Sequence, residues 1–130
     1  MKKSLCSLFA LSAVSTAMAQ EVNIKILGTS DIHGRVVPWS YGADVEDKSG
    51  SYAQIATYVK DVRKNNKNVV LVDVGDAIQD NQVDVFAKDK KYYKDHPIPK
   101  VLNEMKYDIF VLGNHEFNFG MKALDEILKD

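Results

Sequence analysis

The sequence predicts an α/β fold organised around a parallel sheet. Three segments rich in β-branched and apolar residues alternate with three segments whose apolar residues recur at helical spacing. The second and third strand segments are continuous apolar runs, a pattern typical of strands buried on both faces. Strand–helix alternation of this kind favours parallel strands joined by right-handed crossovers, so the chain is expected to form part of one sheet.

The spacing of apolar residues differs between the first predicted strand and the first predicted helix. From Val22 to Leu27 apolar residues alternate with polar ones, and the chain then enters a segment of Gly, Thr, Ser and Asp. Residues 38–50 are rich in Pro, Gly, Asp and Ser, which indicates a loop. Residues 51–66 have apolar side chains at helical spacing and basic side chains in the last turns, which predicts a helix.

The second half of the chain repeats this order. Residues 68–76 are predicted as a buried strand, and the lysine-rich residues 88–94 as solvated surface. A short helix over 99–105 leads to a third buried strand over 107–113. A last helix begins at Met121 and reaches the end of the sequence without a Gly or Pro stop signal, which predicts a piece of a longer protein.

Residues 1–19 are predicted to be a signal peptide rather than part of the fold. Two lysines precede the apolar run 5–14, and Ala17-Met18-Ala19 matches a small-residue cleavage site before Gln20. The apolar run is too short to span a bilayer, so no stable membrane anchor is expected. The sequence therefore predicts an exported protein, periplasmic or extracellular, whose mature part is residues 20–130.

Composition excludes several classes of function. The single cysteine, Cys6, lies inside the predicted signal peptide, so the mature part has neither a disulfide nor a cysteine nucleophile. The formal net charge is −1, and there is no arginine cluster, which argues against nucleic acid as a partner. A small anionic substrate remains compatible with this charge, because a bound metal ion can attract it locally.

Polar side chains follow all three predicted strands. Asp31 and His33 follow the first strand, Asp76 the second, and Asn114-His115-Glu116 the third. Ligands of open α/β sheets bind beyond the carboxyl ends of the strands. Each motif alone is compatible with a turn or a helix cap, but together they predict one composite site. Carboxylate, imidazole and amide donors form a mixed oxygen and nitrogen set that suits Mn, Fe, Zn, Co or Ni.

Three motifs carry a family resemblance. TSDIHG, VDVGDAIQDN and VLGNHEFNFG, in this order, resemble the first three motifs of the calcineurin-like metallophosphoesterases. Within that superfamily they are most similar to the exported 5′-nucleotidase / 2′,3′-cyclic-nucleotide 2′-phosphodiesterase family, over nearly all of residues 22–130. The resemblance implies a four-layer α/β/β/α catalytic domain, of which residues 20–130 would be the N-terminal part.

The resemblance also implies roles for the strand-end residues. Asp31 and His33 would bind one of two divalent ions (Mn, Zn, Co, Fe or Mg), Asp76 would bridge both, and Asn114 would bind the second. The two ions would activate a hydroxide that hydrolyses a nucleotide or another small phosphate ester. His115 would stabilise the transition state or protonate the leaving oxygen, since imidazole exchanges a proton near neutral pH.

Two departures from the family pattern leave alternatives open. The family's later Gly-His and Gly-His-x-His motifs are absent, and the one further histidine, His96, is predicted to lie in a surface loop. The alternative to an active enzyme is thus a truncated, inactive exported α/β fragment. Asn118 stands where the 5′-nucleotidase branch usually has the aspartate that orients the catalytic histidine. An amide there is more similar to the 2′,3′-cyclic-nucleotide phosphodiesterase/3′-nucleotidase branch.

Other polar and aromatic residues have two readings each. Asp73 is predicted either to support a metal ligand or simply to end its strand. Glu116 is predicted to orient His115 or the neighbouring loop, or to belong to a helix N-cap. Trp39 and Tyr41 are predicted to line a substrate cleft or to pack within their loop.

Overall fold

A three-stranded parallel sheet forms the centre of the computed structural model, which describes residues 21–129. Its strands are β1 (Lys25–Thr29), β4 (Val69–Asp73) and β5 (Ile109–Phe110), in the spatial order β1-β4-β5. Leu27 pairs with Leu71, and Asp73 pairs with both Thr29 and Phe110. The predicted α/β class and parallel pairing are confirmed. The predicted signal peptide lies outside the described residues.

The helices begin at recognisable caps. Helix α1 (Tyr52–Asn65) follows Ser51, whose side chain accepts a hydrogen bond from the backbone N–H of Gln54. Helix α3 (Pro97–Glu104) begins two residues earlier than predicted, because Pro at the first helical position needs no hydrogen-bond partner for its nitrogen. Helix α4 (Met121–Ile127) lies where the pattern predicts it. No helix within residues 21–129 is long and apolar enough to span a membrane.

All these helices pack on one face of the sheet. Tyr52 of α1, Ile98 and Leu102 of α3, and Leu124 and Ile127 of α4 belong to one buried cluster. Phe110 of β5 packs against this cluster from the sheet. The helices therefore share one core, which lies beneath the loops that follow the strands.

The opposite face of the sheet is exposed in the described part of the chain. Ile26 is 72% exposed, Ile109 is 50% exposed and Val111 is 46% exposed. The prediction that the second and third strands are buried on both faces is therefore wrong. Within β4 only Leu71 and Asp73, which point toward the helices, are buried.

Short elements occur where the sequence predicts loop or surface. The predicted loop 38–50 contains a small antiparallel hairpin of β2 (Trp39–Ser40) and β3 (Val45–Glu46). The polar stretch after β4 contains helix α2 (Asp84–Lys88) and a 3-10 helix over Lys90–Asp95. The lysines at positions 88, 90, 91 and 94 are exposed, as predicted for this surface.

The predicted surface position of His96 is wrong. Its side chain is 1% exposed, because its ring fits between two backbone segments. Nδ1 accepts a hydrogen bond from the N–H of Ile98 in α3, and Nε2 lies 3.3 Å from the carbonyl oxygen of Ile78. His96 thus caps a helix and supports the loop that follows β4.

Candidate metal centre

Three side chains from the ends of β1 and β4 converge. Asp31, His33 and Asp76 each present one ligand atom, and these atoms lie within 4.8 Å of one another. Asp31 is exposed, whereas His33 and Asp76 are half-buried. The cluster therefore opens to solvent on one side and is backed by protein on the other, as a site that admits a small substrate must be.

The backbone at all three residues has positive φ. The angles are 55° at Asp31, 48° at His33 and 58° at Asp76. Non-glycine residues adopt this left-handed region at a cost of about 1 kcal/mol or more, and such residues cluster at functional sites. Hydrogen bonds hold the conformation: the N–H of Asp31 donates to the Gly75 carbonyl, and that of His33 to the Asp76 carbonyl, both at 3.0 Å.

The His33 ring is oriented by one hydrogen bond. Its Nδ1 lies 3.3 Å from the carbonyl oxygen of Gln79, an acceptor, so the ring proton belongs on Nδ1. Nε2 then keeps a free lone pair and lies 3.9 Å from Oδ1 of Asp31. A histidine that donates one ring N–H to the backbone and presents the other nitrogen is the usual arrangement for a metal ligand.

Two glycines allow the loops after β4 and β5 to cross in close contact. A Cβ on Gly75 would lie 2.6 Å from the Cα of Gly113, and a Cβ on Gly113 would lie 2.7 Å from the nitrogen of Asp76. The same added Cβ would collide with Oδ1 of Asp76. Glycine at both positions is therefore what permits Asp76 to reach the cluster.

The loop after β5 places His115 beside this cluster. The His115 and His33 rings lie edge to face with centroids 5.3 Å apart, and the N–H of His115 donates to Oδ1 of Asp76 at 2.8 Å. Nδ2 of Asn118 lies 2.9 Å from Nδ1 of His115. Asn114 is exposed at the start of the 3-10 helix His115–Phe117.

A cleft of about 320 Å³ adjoins the cluster. Its lining includes Asp31 and His33 together with Trp39 and Tyr41 of the hairpin. A more apolar cavity of about 360 Å³ shares both aromatic residues. Trp39 is 42% exposed and Tyr41 is 60% exposed, so these rings face open space rather than only packing within their loop.

Comparison with known proteins identifies the family. The profile described as calcineurin-like phosphoesterase matches residues 24–129, which is most of the chain. The chain belongs to the calcineurin-like phosphoesterase family. The fold class predicted from the sequence, and the resemblance that its three motifs indicate, are confirmed.

Relatives of this phosphoesterase chain include nucleotidases and phosphodiesterases. The trifunctional nucleotide phosphoesterase protein YfkN of Bacillus subtilis is 40% identical in an alignment of 119 residues that covers 85% of this chain and 8% of that protein. Its crystal structure matches with a TM-score of 0.72 and 40% identity, over 80% of this chain and 33% of that chain.

A 2′,3′-cyclic-nucleotide 2′-phosphodiesterase/3′-nucleotidase of Haemophilus influenzae is 36% identical in an alignment of 131 residues that covers 97% of this chain and 20% of that protein. A snake venom 5′-nucleotidase of Naja atra is 34% identical in an alignment of 111 residues that covers 82% of this chain and 20% of that protein. The chain thus spans a fifth or less of the length of these curated relatives.

The residues at the cluster fit the divalent metal ions that calcineurin-like phosphoesterases use. Two carboxylates and one imidazole are good ligands for Mn, Fe, Co or Zn, and the imidazole of His33 is already oriented by Gln79. The backbone conformation of the three residues is also consistent with a site that folding holds in place before an ion binds.

A buried polar network underneath the metal cluster includes Thr29 and Tyr52, which no local sequence pattern indicates as site residues. Asp73 is fully buried and accepts hydrogen bonds from the Thr29 hydroxyl at 2.6 Å, the Tyr52 hydroxyl at 3.2 Å and the Gly75 N–H at 2.9 Å. Burial raises the pKa of Asp73, and these hydrogen bonds oppose that increase. Burial also raises the pKa of Tyr52. Aligning β1 with β4, which pairs Thr29 with Asp73, is the signal that would have identified Thr29.

Proposed function

We propose that this chain carries the metal-binding part of a phosphoesterase that hydrolyses nucleotides. The observation that carries the proposal is the convergence of Asp31, His33 and Asp76, with the ring of His115 against that of His33. The chemistry is proposed to be that of a 2′,3′-cyclic-nucleotide phosphodiesterase/3′-nucleotidase, with a 5′-nucleotidase as the alternative. Asn118 supports the first choice, and relatives of both kinds are found.

The proposed metal ligands are Asp31, His33, Asp76 and Asn114. Two divalent ions, when bound, would supply a nucleophilic water at neutral pH and positive charge beside the phosphoryl oxygens. Asp76 is suited to a shared position because it lies between the β1 loop, through the His33 N–H, and the β5 loop, through the His115 N–H. Its Oδ2 has no protein donor within the described residues, so it remains available to a cation.

His115 is proposed to donate a proton to the leaving oxygen of the substrate. The amide orientation of Asn118 places Nδ2 toward Nδ1 of the ring. As a general acid, His115 would act in its imidazolium form, in which both ring nitrogens carry a hydrogen. Nε2–H would give its proton to the leaving oxygen and leave a neutral imidazole, while the Asn118 amide, turned so that its oxygen faces the ring, would accept a hydrogen bond from Nδ1–H.

Substrate and location follow from the same proposal. A nucleotide would place its phosphate at the cluster, and the cleft lined by Trp39 and Tyr41 adjoins that position. The predicted signal peptide, residues 1–19, supports a periplasmic or extracellular protein whose catalytic-domain portion is residues 20–130. Cell fractionation tests the proposed location, and N-terminal sequencing of the exported protein tests whether cleavage occurs after residue 19.

Hydrolysis assays test the proposed activity. The purified chain is incubated with Mn²⁺ and 2′,3′-cyclic AMP, 3′-AMP or 5′-AMP, and products are separated by chromatography. His115→Ala should lower turnover by about 100-fold or more, since removing a general acid typically costs that much. Asp76→Asn should lower turnover by a similar factor, because the proposed shared metal ligand loses its negative charge. Asp125→Asn, on the exposed face of α4, is the matched control and should leave turnover unchanged. Measurable turnover that is equal in all variants would refute the assignment.

An inactive exported fragment is the competing proposal. It is supported by the number of proposed ligands, because a catalytic metal ion usually has three protein ligands, and only Asp31, His33, Asp76 and Asn114 are proposed here for two ions. Calorimetric titration with Mn²⁺ separates the two. Tight binding of two equivalents favours the enzyme, whereas weak or absent binding together with no hydrolysis favours the fragment.

A further inference from the structure

Glu116 is a buried carboxylate with an unusual set of partners. It is fully buried, yet no Lys, Arg or His side chain within residues 21–129 forms an ion pair with it. Buried charges are normally compensated by an opposite charge or by several hydrogen bonds. Here the compensation comes entirely from backbone N–H groups, and these belong to the two loops that form the candidate metal centre.

Four N–H groups converge on the two oxygens of Glu116. Oε2 accepts from the N–H of Asp76 and from the N–H of Gly113, both at 2.7 Å. Oε1 accepts from the N–H of Ala77 at 2.6 Å and from that of Ile78 at 3.2 Å. Each oxygen is thus saturated, and Oε2 joins the loop after β4 to the loop after β5.

These contacts link Glu116, Asp76 and His115 to one another. Glu116 holds the backbone of Asp76, and the side chain of Asp76 in turn accepts from the N–H of His115, the neighbour of Glu116. Two hydrogen bonds therefore fix the Asp76 carboxylate relative to His115: one holds the Asp76 backbone, and the other holds its side chain. Asp76 has positive φ, a conformation that non-glycine residues keep only where surrounding contacts hold it.

We propose that Glu116 is the positioning residue of this site. It sets the separation between Asp76 and His115 because its carboxylate accepts hydrogen bonds from both the loop after β4 and the loop after β5. The inference rests on the proposed function in that Asp76 is taken as a metal ligand. Glu116 itself touches neither metal nor substrate. Its contribution reaches the metal through Asp76, and its replacement should weaken metal binding without unfolding the chain.

Two substitutions separate the geometry of Glu116 from its charge. Glu116→Gln keeps the length but replaces one acceptor by an NH₂ group, which would face backbone N–H groups. Glu116→Asp keeps the charge but is one methylene shorter and cannot reach both loops. If Glu116 works by holding the loops, both variants lose affinity. If it works only through its charge, Glu116→Asp retains wild-type affinity and the proposal is overturned.

Asp108→Asn is the matched control. Oδ2 of Asp108 also accepts a backbone N–H across elements, that of Leu71 at 2.8 Å. This contact joins the residue before β5 to the middle of β4, ahead of the loops that carry the candidate metal centre. Asn keeps an oxygen acceptor but loses the negative charge, as Gln does at Glu116, so the control weakens the same kind of interaction away from the proposed metal ligands and should leave metal affinity unchanged.

The experiment measures Mn²⁺ affinity and amide exchange in the full chain. Calorimetric titration should show about 10- to 100-fold weaker Mn²⁺ binding in Glu116→Gln and Glu116→Asp, the usual effect of losing a residue that supports a metal ligand. Hydrogen exchange in metal-free protein should accelerate at the amides of Asp76, Ala77 and Gly113, and at Leu71 only in Asp108→Asn. Circular dichroism confirms that each variant is folded.

The outcomes distinguish this inference from the proposed function. Wild-type Mn²⁺ affinity in a folded Glu116→Gln, or unchanged exchange at the three amides, would overturn the positioning role. Absence of Mn²⁺ binding by the wild-type chain would instead count against the proposed function. In that case, the exchange measurement still decides whether Glu116 holds the two loops.

Discussion

At the scale of single residues, His96 shows how a buried ring joins two elements. One neutral tautomer satisfies both of its neighbours, since Nε2–H can donate to the Ile78 carbonyl while Nδ1 accepts from Ile98. The Phe86 ring packs edge-on at 6.1 Å. Burial lowers the pKa of His96 to about 4, and the Ile78 carbonyl and Asp84 only partly oppose this decrease.

The lowered pKa of His96 predicts acid sensitivity. The ordinary pKa is 6.5, so between pH 6.5 and about 4 the unfolded chain binds a proton that the folded chain does not. The contribution of neutral His96 to the free energy of unfolding is therefore fully present above pH 6.5, and it is lost as the pH falls toward 4. The loss from this one group should be about 2 kcal/mol between pH 7 and pH 5.

Urea denaturation at pH 7 and pH 5 measures this effect of His96. His96→Asn keeps an acceptor for the Ile98 N–H but cannot be protonated, so its free energy of unfolding should depend less on pH. The other histidines are the same in both proteins, so their effects cancel in the comparison. An equal loss of stability in wild type and variant would show that His96 is not the responsible group.

The proximity of the strand-end residues can be predicted from the sequence, whereas the burial of His96 cannot, for a physical reason. Asp31, His33 and Asp76 follow strands, and parallel strands bring their carboxyl ends together, so their proximity follows from topology. His96 lies between Asp95 and Pro97, where local polarity indicates surface. Its burial depends on the Ile78 loop, which is distant in sequence and leaves no local pattern.

At the scale of elements, length decides what could be predicted. Helix α1 was predicted almost to its ends because it has four turns, a Ser51 cap and basic last turns. The hairpin of β2 and β3 was missed because strands of two residues are too short to show alternation. Helix α2, with five residues, is likewise shorter than the period needed to reveal an apolar face.

The crossing of the loops after β4 and β5 predicts the effect of Gly113→Ala. The added Cβ would lie 2.7 Å from the nitrogen and 2.8 Å from Cγ of Asp76, so the loops must separate. We expect a loss of about 1–3 kcal/mol in the free energy of unfolding, the usual range for overpacking, and weaker Mn²⁺ binding because Asp76 moves.

Gly28→Ala is the control, because it adds the same methyl group away from the contact between the two loops. Gly28 lies in β1, and a Cβ there would meet no atom within 4 Å, so stability and Mn²⁺ binding should hardly change. Urea denaturation and calorimetry measure both variants. If Gly113→Ala behaves like Gly28→Ala, the two loops are not in the close contact described above.

At the scale of the whole molecule, the sheet is covered on one face only within residues 21–129. Continuous apolar runs predicted burial on both faces, but such a run records only that its residues are apolar. Whether a second layer covers them depends on elements elsewhere in the fold. This is why the strand pairing was predictable, whereas the exposure of Ile109 and Val111 was not.

The exposed sheet face predicts that the chain binds apolar dyes such as anilinonaphthalene sulfonate. Ile26→Thr combined with Ile109→Thr should lower dye fluorescence, since both side chains are at least half exposed and Thr retains the preference for strands. The free energy of unfolding should change by less than about 0.5 kcal/mol per site, as for other surface substitutions. Strong destabilisation by the pair would show that this face is packed in solution.

The hairpin of β2 and β3, which the sequence pattern does not predict, gives the molecule an optical property. Trp39 is its only tryptophan, and it lines the same cleft as Asp31 and His33. All tryptophan emission therefore originates beside the candidate metal centre. Events at this cleft, such as arrival of a paramagnetic ion or stacking of a purine, can be followed in the unlabelled protein without subtracting signal from any other part of the chain.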